Sequence, residues 1–389
     1  MTTADFVKAE KQLVKYGKVP VPRVIRPAHP RYNVTIGRYI KPTEKKLYKA
    51  IDTMFYGGDG TEAVPLGDRT VMKGLNSQQR GVAVHGAWKC FSDPVALGLD
   101  ASRFDQHVSV PALKYETSTY AAYFPNDKSF RRQIRWQLTN RGIGRCRDGR
   151  LKYKIDGTRT SGVSNTASGN VLIMCSLVYS FMITVIKKRY RFINDGDDGT
   201  IIMEREDVQQ VVDELPGWFV RMGFTMTLEP LVYNIENIEF CQARPVWVDG
   251  GYIMVRNLAS TLVKDCISLK PLPTKSAYCK WLSAVAQSGL SLTGGIPVFQ
   301  EFYSLLLRTS DGAKMLTDPT LETGLTQLAK GMFREYSNIH PRTRLSFWIA
   351  FGITPERQIA IEQAYSTLTL DQLESSKLRL PTRNSELWG

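Results

Sequence analysis

An α+β fold is predicted by three features of the sequence. The apolar run VALGL (95–99) reads as a buried strand that delivers Asp100 at its end. RYRFI and TIIM bracket Asn194-Asp195-Gly196-Asp197-Asp198-Gly199, the pattern of two short strands joined by a tight Asp-Gly turn. A long apolar stretch, roughly 166–187, reads as a buried helix, and residues 259–389 are patterned mostly as helix. Short strands in one part of the chain and helices gathered in another give the α+β class.

The remaining elements follow in chain order. Residues 17–42 hold five prolines and alternate Val/Ile with Arg, which predicts extended chain. A helix is expected to start near Thr43 and run through TEKKLYKAIDTMFY, followed by a Gly- and Asp-rich loop over 57–80. Helices are expected over 105–122 and 127–140, the second one basic, and Gly142, Gly144, Gly149 and Gly157 punctuate the segment before the long helix. After the hairpin at 190–203, a helix is expected over 206–222, then short strands over 224–233, 237–247 and 252–256. No internal repeat or low-complexity segment is present.

At 389 residues and 43% apolar, the chain can bury a sizeable core. Its six cysteines form no C-x-x-C pair and it has only four histidines, which argues against a zinc site and against a disulfide framework. The longest apolar run, Val171 to Ile186, falls short of the roughly 18 residues needed to cross a bilayer. The N-terminus lacks the apolar core of a signal peptide, so a soluble, intracellular chain without a transmembrane segment is expected. The net charge is +14. Residues 1–50 carry twelve Lys/Arg against Asp5, Glu10 and Glu44, and residues 131–160 carry ten against Asp148 and Asp156. Residues 193–240 reverse the balance, with eleven acids against Arg205 and Arg221. Two basic blocks flanking an acidic one point to a polyanion channel beside a cation-binding centre. Tyr16, Tyr32, Tyr39 and Tyr48 in the first block offer stacking surfaces for bases.

Three constellations carry chemistry. Asp197 and Asp198 at a hairpin tip are hard oxygen donors suited to Mg²⁺ or Mn²⁺. Read alone, the segment is equally a plain type I′ turn; a calcium loop is excluded because Gly199 and Thr200 fall where the next ligand and the glycine belong. Asp100 lies at a strand end, with Asp105 five residues on, a pattern that an N-cap acid would also give. SGVSNTASGN (161–170) is a loop of small residues opening a helix on which Thr166 and Asn170 share one face. Two carboxylate sources, polar groups to read a sugar and basic groups for a triphosphate are what metal-assisted nucleotidyl transfer requires.

GLDASRFDQHVS (98–109), SGVSNTASGN (161–170) and FINDGDDGTII (192–202) together resemble motifs A, B and C of viral RNA-dependent RNA polymerases. FCQARPV (240–246) resembles motif E, and FVKAEK (6–11) with PRVIRPAHPRYNVTIGRYIKP (22–42) resembles motif F. The wording is closest to tombusvirus-type (Tombusviridae) replicases of positive-strand RNA viruses, over about residues 6–258. The resemblance implies a right-hand polymerase: fingers 1–92 and 114–157, palm 93–113 and 158–258, and a mostly helical thumb 259–389. It implies template-directed RNA synthesis from ribonucleoside triphosphates with two Mg²⁺ (or Mn²⁺) ions. Asp100 and Asp197 would hold the metals with Asp198 auxiliary; Asp105 and Asn170 would read the ribose 2′-hydroxyl, and Thr166 would support that pocket. Ser161 and Gly162 would form a mobile loop near the templating base. Lys8, Arg23 and Arg26 would line the path of the triphosphate, and Arg38, Lys41, Arg131, Arg132 and Arg135 would contact RNA.

The family's motif D lysine is missing from GFTMTLEP (223–230), so no general acid is assigned. The chain also opens almost directly on motif F, which suggests a truncated product or part of a longer readthrough replicase whose membrane anchor lies elsewhere. Partners implied are template and product RNA, nucleoside triphosphates, a viral auxiliary replication protein and host factors, at membrane-associated replication complexes in the host cytoplasm. Two rival readings are a reverse transcriptase and a catalytically idle RNA-binding accessory.

Overall fold

A computed structural model describes residues 1–8, 10, 21–146, 149–269, 271–317 and 324–368. Parts of several expectations lie outside these residues: Tyr16, two positions of FVKAEK, the start of the extended 17–42 segment and the end of the helical 259–389 stretch. The chain divides into two compact units, residues 1–74 with 82–241 and residues 75–81 with 242–389.

The first unit is built on an antiparallel sheet. Strand β3 (Pro94–Ala101) lies between β7 (Asp198–Glu204) and β8 (Met226–Leu228), with β6 (Tyr190–Asp195) completing the order β6-β7-β3-β8. Five successive residues of β3, Val95 to Leu99, are buried, as its unbroken apolar run requires; only Asp100 opens to solvent. Helix α6 (Thr166–Phe181) is buried from Ser168 through Cys175 and again at Val178 and Phe181. It joins the core with β3, β6, β7, α4 (Val110–Ala122) and α7 (Val208–Arg221). With the π turn that continues it, this helix spans Thr166–Ile186, as expected over 166–187, and is long and apolar enough by composition to cross a membrane although its unbroken apolar run from Val171 is shorter. Its 61% burial within the protein accords with a core helix.

Helix α1 runs Pro30–Tyr56, so the extended reading of 17–42 fails from Pro30 on. Proline is tolerated at the first helical position, where its missing N–H costs nothing, and His29 caps Arg31 N–H at 3.2 Å. Pro42 lies inside the helix on an exposed position. The loop expected at 57–80 gives way at Ser77 to α2 (Ser77–Trp88). The helix expected over 127–140 ends earlier, as α5 (Lys128–Ile134) and one 3₁₀ turn. From Thr139 the chain is β4 (Thr139–Cys146), paired antiparallel with β5 (Gly149–Asp156). Gly142 is there because the ring of Tyr153 lies where its Cβ would be, and the Tyr153 hydroxyl donates to Asp5 at 2.6 Å. Strand β1 (Thr2–Val7) pairs in parallel with β4 and antiparallel with β2 (Val24–Ile25), giving the order β2-β1-β4-β5. This one sheet joins segments of the two basic blocks.

In the second unit, β9 (Ala243–Val248) and β10 (Gly251–Arg256) form a hairpin, so the strand expected from 237 begins only at 243. Before it, Cys241 and Gln242 turn the chain with φ of 52° and 59°. Helices α8 (Leu258–Asp265), α9 (Lys275–Thr293), α10 (Phe299–Thr309), α11 (Leu325–Leu328), α12 (Pro341–Phe351) and α13 (Pro355–Thr367) supply the rest. A separate core of Val246, Trp281, Phe299, Tyr303 and Phe347 holds this unit together. Among the described residues Cys90, Cys175, Cys241, Cys266 and Cys279 form no disulfide.

Candidate active site

The site grows from strand register. Antiparallel pairing of β3 with β7 sets Asp100 opposite Asp198, and the β6–β7 hairpin sets Asp195 opposite Asp198. Asp197 stands in the turn between β6 and β7. Asp100, Asp197 and Asp198 are all exposed, so the three carboxylates named from the sequence come to one end of the sheet.

Asn194, fully buried, fixes the turn. Its side-chain amide donates to the carbonyls of Gly196 (3.0 Å) and Asp198 (2.9 Å), and its oxygen accepts from the Gly196 N–H (3.1 Å). Gly196 takes φ 98°, a left-handed value that favours glycine. The Asn194 backbone is also paired to residues 70–72, with N–H to Thr70 C=O at 2.8 Å and C=O from Met72 N–H at 2.8 Å. That segment is held in turn by the buried Asp52, which accepts from Thr70 N–H, Val71 N–H and Arg69 Nε at 2.8–3.0 Å. Lys73 follows and ion-pairs with Asp195. Asp52, Lys73, Asn194 and Asp195 escaped the sequence reading because their partners lie 120 residues or more away along the chain, or because their role is to hold the backbone. The unusual acid before Gly196 was the one available signal.

Crowded negative charge marks the site. Partial burial, then the Asp197 carboxylate, with Asp195 and Asp100 adding, pushes the Asp198 carboxyl above the usual carboxylate range; a hydrogen bond from Cys241 opposes this. Asp105 is also raised, first by burial and further by Asp197, against the pull of Asn170, Arg159 and Arg23. Such a cluster asks for cations. Among the described residues no three His, Cys, Asp or Glu side chains converge into a ready-made metal cage.

The second group forms beside the first. Arg103, at φ 49°, turns the chain from β3 into the short helix α3 (Phe104–His107), which presents Asp105. Asn170 on α6 donates its amide to Asp105 Oδ1 at 2.9 Å. Because the carboxylate can only accept, the Asn170 Oδ1 faces elsewhere, and it is buried without a partner. The single Thr166 hydroxyl proton lies within reach of the carbonyls of Thr160 (2.8 Å) and Val163 (2.9 Å), tying down the loop before α6.

That loop is strapped to the N-terminal basic segment. Ser161 Oγ accepts from Arg26 N–H at 3.0 Å, Gly162 N–H donates to Arg26 C=O at 3.3 Å, and Asn33 Nδ2 donates to Gly162 C=O at 2.8 Å. A Cβ on Gly162 would lie 2.5 Å from Pro27 Cα, so only glycine allows this approach. Arg26 Nη1 donates to Thr158 Oγ1 at 3.2 Å, while its Nε and Nη2 are buried without partners. Lys8 and Arg23 meet across β1–β2 at Glu10, at 2.7 and 3.7 Å. The other basic residues are engaged locally or face solvent. Lys41 pairs with Glu44 in its own helix, Arg38 lies over Tyr39 at 4.8 Å, and Arg131, Arg132 and Arg135 are exposed.

Comparison with known proteins identifies the family. The family model described as "Viral RNA dependent RNA polymerase" matches residues 1–372. The RNA-directed RNA polymerase of Tobacco necrosis virus (strain D) is 40% identical over 95% of this chain and 50% of its own length. That of Tobacco necrosis virus (strain A) is 41% identical over 94% and 49%, and that of Tomato bushy stunt virus (strain Cherry) 40% over 94% and 43%. The chain thus spans about half or less of these relatives. With the family model covering nearly all of its length, the chain belongs to the viral RNA-dependent RNA polymerases.

Proposed function

We propose that this chain carries out template-directed RNA synthesis from ribonucleoside triphosphates, by two-metal nucleotidyl transfer, for replication of a positive-strand RNA virus. The observation that carries this reading is the register of β3 against β7, which sets Asp100 opposite Asp198 beside the turn bearing Asp197. In this reading the β6-β7-β3-β8 sheet with α6 is the palm of a right hand, residues 1–92 and 114–157 the fingers, and residues from 259 the thumb.

Asp100 and Asp197 would hold Mg²⁺ or Mn²⁺, with Asp198 assisting; the chemistry that two such ions would supply is activation of the RNA 3′-hydroxyl and charge compensation at the leaving pyrophosphate. Asp105 accepts the 2′-hydroxyl proton of the incoming ribose or holds Asn170 so that its unpartnered Oδ1 does so. The two unpartnered guanidinium nitrogens of Arg26 suit triphosphate oxygens, with Lys8 and Arg23 adding charge along the approach. Ser161 and Gly162, bonded to the backbone of Arg26, place the loop before α6 against this arginine. Arg38, Lys41, Arg131, Arg132 and Arg135 supply sequence-independent contacts to the RNA backbone. A reverse transcriptase is disfavoured by a polar Asp105–Asn170 pair where exclusion of a 2′-hydroxyl calls for bulk.

The test is labelled ribonucleotide incorporation on a short RNA template with Mg²⁺ or Mn²⁺, with Asp197→Asn in parallel. Incorporation that needs template and metal and is lost in the variant is expected. Incorporation that survives in Asp197→Asn would overturn the site, and metal-dependent RNA binding without synthesis would favour the idle accessory.

A further inference from the structure

Arg159 and Glu116 form an ion pair with side chains only 3% and 0% exposed, at 2.6 Å, and the proposed chemistry uses neither. Burying two charges is expensive and is seldom retained for stability alone. Here the pair is the hub of a closed ring of hydrogen bonds and close packing. The Arg159 N–H donates to the Asp105 carbonyl at 2.7 Å. Its guanidinium donates to both Glu116 oxygens, at 3.2 and 2.6 Å. Glu116 Oε1 also accepts from Asn165 Nδ2 at 2.6 Å, at the N-cap of α6. Gly169 on α6 presses against the same pair, since a Cβ there would run into the Glu116 carboxylate and the Arg159 guanidinium. The next residue is Asn170, which closes the ring at Asp105.

From this ring we infer that Glu116 and Arg159 are positioning residues for sugar selection: they set the distance between α3 and α6 at which Asn170 reaches Asp105. The inference rests on the reading of Asp105 and Asn170 as the ribose-sensing pair. A carboxylate on α4 and a guanidinium in the loop before α6 act together because the hydrogen bonds run to both sides of the ribose pair. Asp105 is gripped by its backbone, through Arg159 N–H. Asn170 is gripped through its helix, by Glu116 at Asn165 and by the close approach at Gly169. Tyr120, one turn after Glu116 on α4, adds a hydrogen bond from its hydroxyl to Ser168 Oγ at 2.7 Å on α6. The guanidinium remains charged in this setting: burial, the largest influence, works against it, but the charge and hydrogen bonds of Glu116, with Asp105 and Tyr120 adding, together raise its pKa.

A polar pair that reads a hydroxyl is sensitive to placement, and a shift of about 1 Å can cost on the order of a hundredfold in rate. Loosening the clamp therefore erodes the preference for ribose before it erodes synthesis as such. The experiment measures kcat and KM for single-nucleotide addition with a ribonucleotide and its 2′-deoxy analogue. It compares wild type, Glu116→Gln, Arg159→Lys, Asn165→Ala and Asn170→Ala, each with its melting temperature. Arg256→Lys serves as a destabilised control, since Arg256 is bonded to Asp265 and Tyr303 at 2.8 Å in the other unit. The ribose preference is expected to fall roughly tenfold in Glu116→Gln and Arg159→Lys, mostly through the ribonucleotide, and in the same direction in Asn170→Ala. Asn165→Ala leaves the ion pair whole and removes its hydrogen bond to α6, along with the two that Asn165 shares with Gln137, so it carries the test if a charge variant does not fold; with the Gly169 contact still in place, a smaller fall is expected. Equal losses for both sugars, as in Arg256→Lys, would make the pair merely structural and overturn the inference. An unchanged preference in the clamp variants alongside a reduced one in Asn170→Ala would overturn the clamp and leave the ribose reading standing. An unchanged preference in Asn170→Ala would overturn both.

Discussion

Asp198 shows the cost of placing carboxylates together. Its pKa is raised by partial burial and by Asp197, Asp195 and Asp100, so the ionised form is disfavoured in the folded protein. A raised folded-state pKa contributes stability that is present below the ordinary carboxylate value and lost as pH rises through the folded value. The metal-free protein is therefore strained at neutral pH, at a carboxylate proposed to bind cations in its deprotonated form. Replacing the charge with an amide removes that strain. Asp198→Asn is expected to raise the melting temperature of the metal-free protein slightly, on the order of 1 °C since the group keeps access to solvent. Mg²⁺ should stabilise the wild type increasingly as pH rises through that range and stabilise the variant less. Thermal melts across pH with and without Mg²⁺ check both; a variant less stable than wild type in the absence of metal would refute the account. Stability given up for function at a charged cluster is the familiar trade.

Elements explain why one residue type was legible and another was not. Asp100 and Asp198 could be named from the chain because each borders an apolar run, and their pairing follows from the strands alone. The helix at Pro30 could not, because proline argues against helix everywhere except its first turn, and nothing local says which turn that is. Strand β4 is not legible: the helix expected to 140 covers only its first two residues, the glycines after it give no strand pattern, and its partner β1 lies some 140 residues earlier. Gly162 is legible as a small residue in a loop, but its partners are not: the loop is hydrogen-bonded to Arg26 and Asn33, more than a hundred residues earlier. That packing yields a prediction. In Gly162→Ala the new methyl meets Pro27 Cα, a backbone atom that cannot turn aside, so the strap between residues 26–28 and 161–164 must open. The expected cost is about 1–3 kcal/mol of stability. Arg26 is displaced with the strap, so if it binds triphosphate as proposed, before as well as during reaction, KM for the nucleotide should rise more than kcat falls. Steady-state kinetics with a denaturant melt decide it; a fall in kcat alone would place Gly162 with the metals instead.

At the scale of the whole chain, charge is the property that composition announces and topology redistributes. The +14 net charge is concentrated in residues 1–50 and 131–160, and these blocks meet in the β2-β1-β4-β5 sheet and where α1 packs on α5. Tyr39 stacks on Phe130 at 4.4 Å and donates to Asp127, the cap of α5, at 2.7 Å. This joint leaves Arg38 on one helix and Arg131 and Arg132 on the other exposed, with Arg135 following, so the cations cost nothing in desolvation and are available to phosphates. Replacing Arg131, Arg132 and Arg135 together with Gln should therefore leave the melting temperature within about 1 °C of wild type, since exposed charges contribute little to stability. RNA binding should weaken instead, and in a manner that identifies its cause. For every phosphate that the variant no longer neutralises, the slope of log K against log salt shrinks by roughly 0.7 for a single strand. Three such phosphates would thus flatten the slope by about 2, equally for unrelated sequences, because phosphates carry no base identity. Titration of a labelled RNA at several salt concentrations, with two sequences of equal length, measures this directly. A slope unchanged within error would mean that these arginines face solvent only and that the RNA path runs elsewhere along the basic sheet. A change confined to one sequence would instead mean that they read bases, which their placement at the exposed end of α5 does not favour.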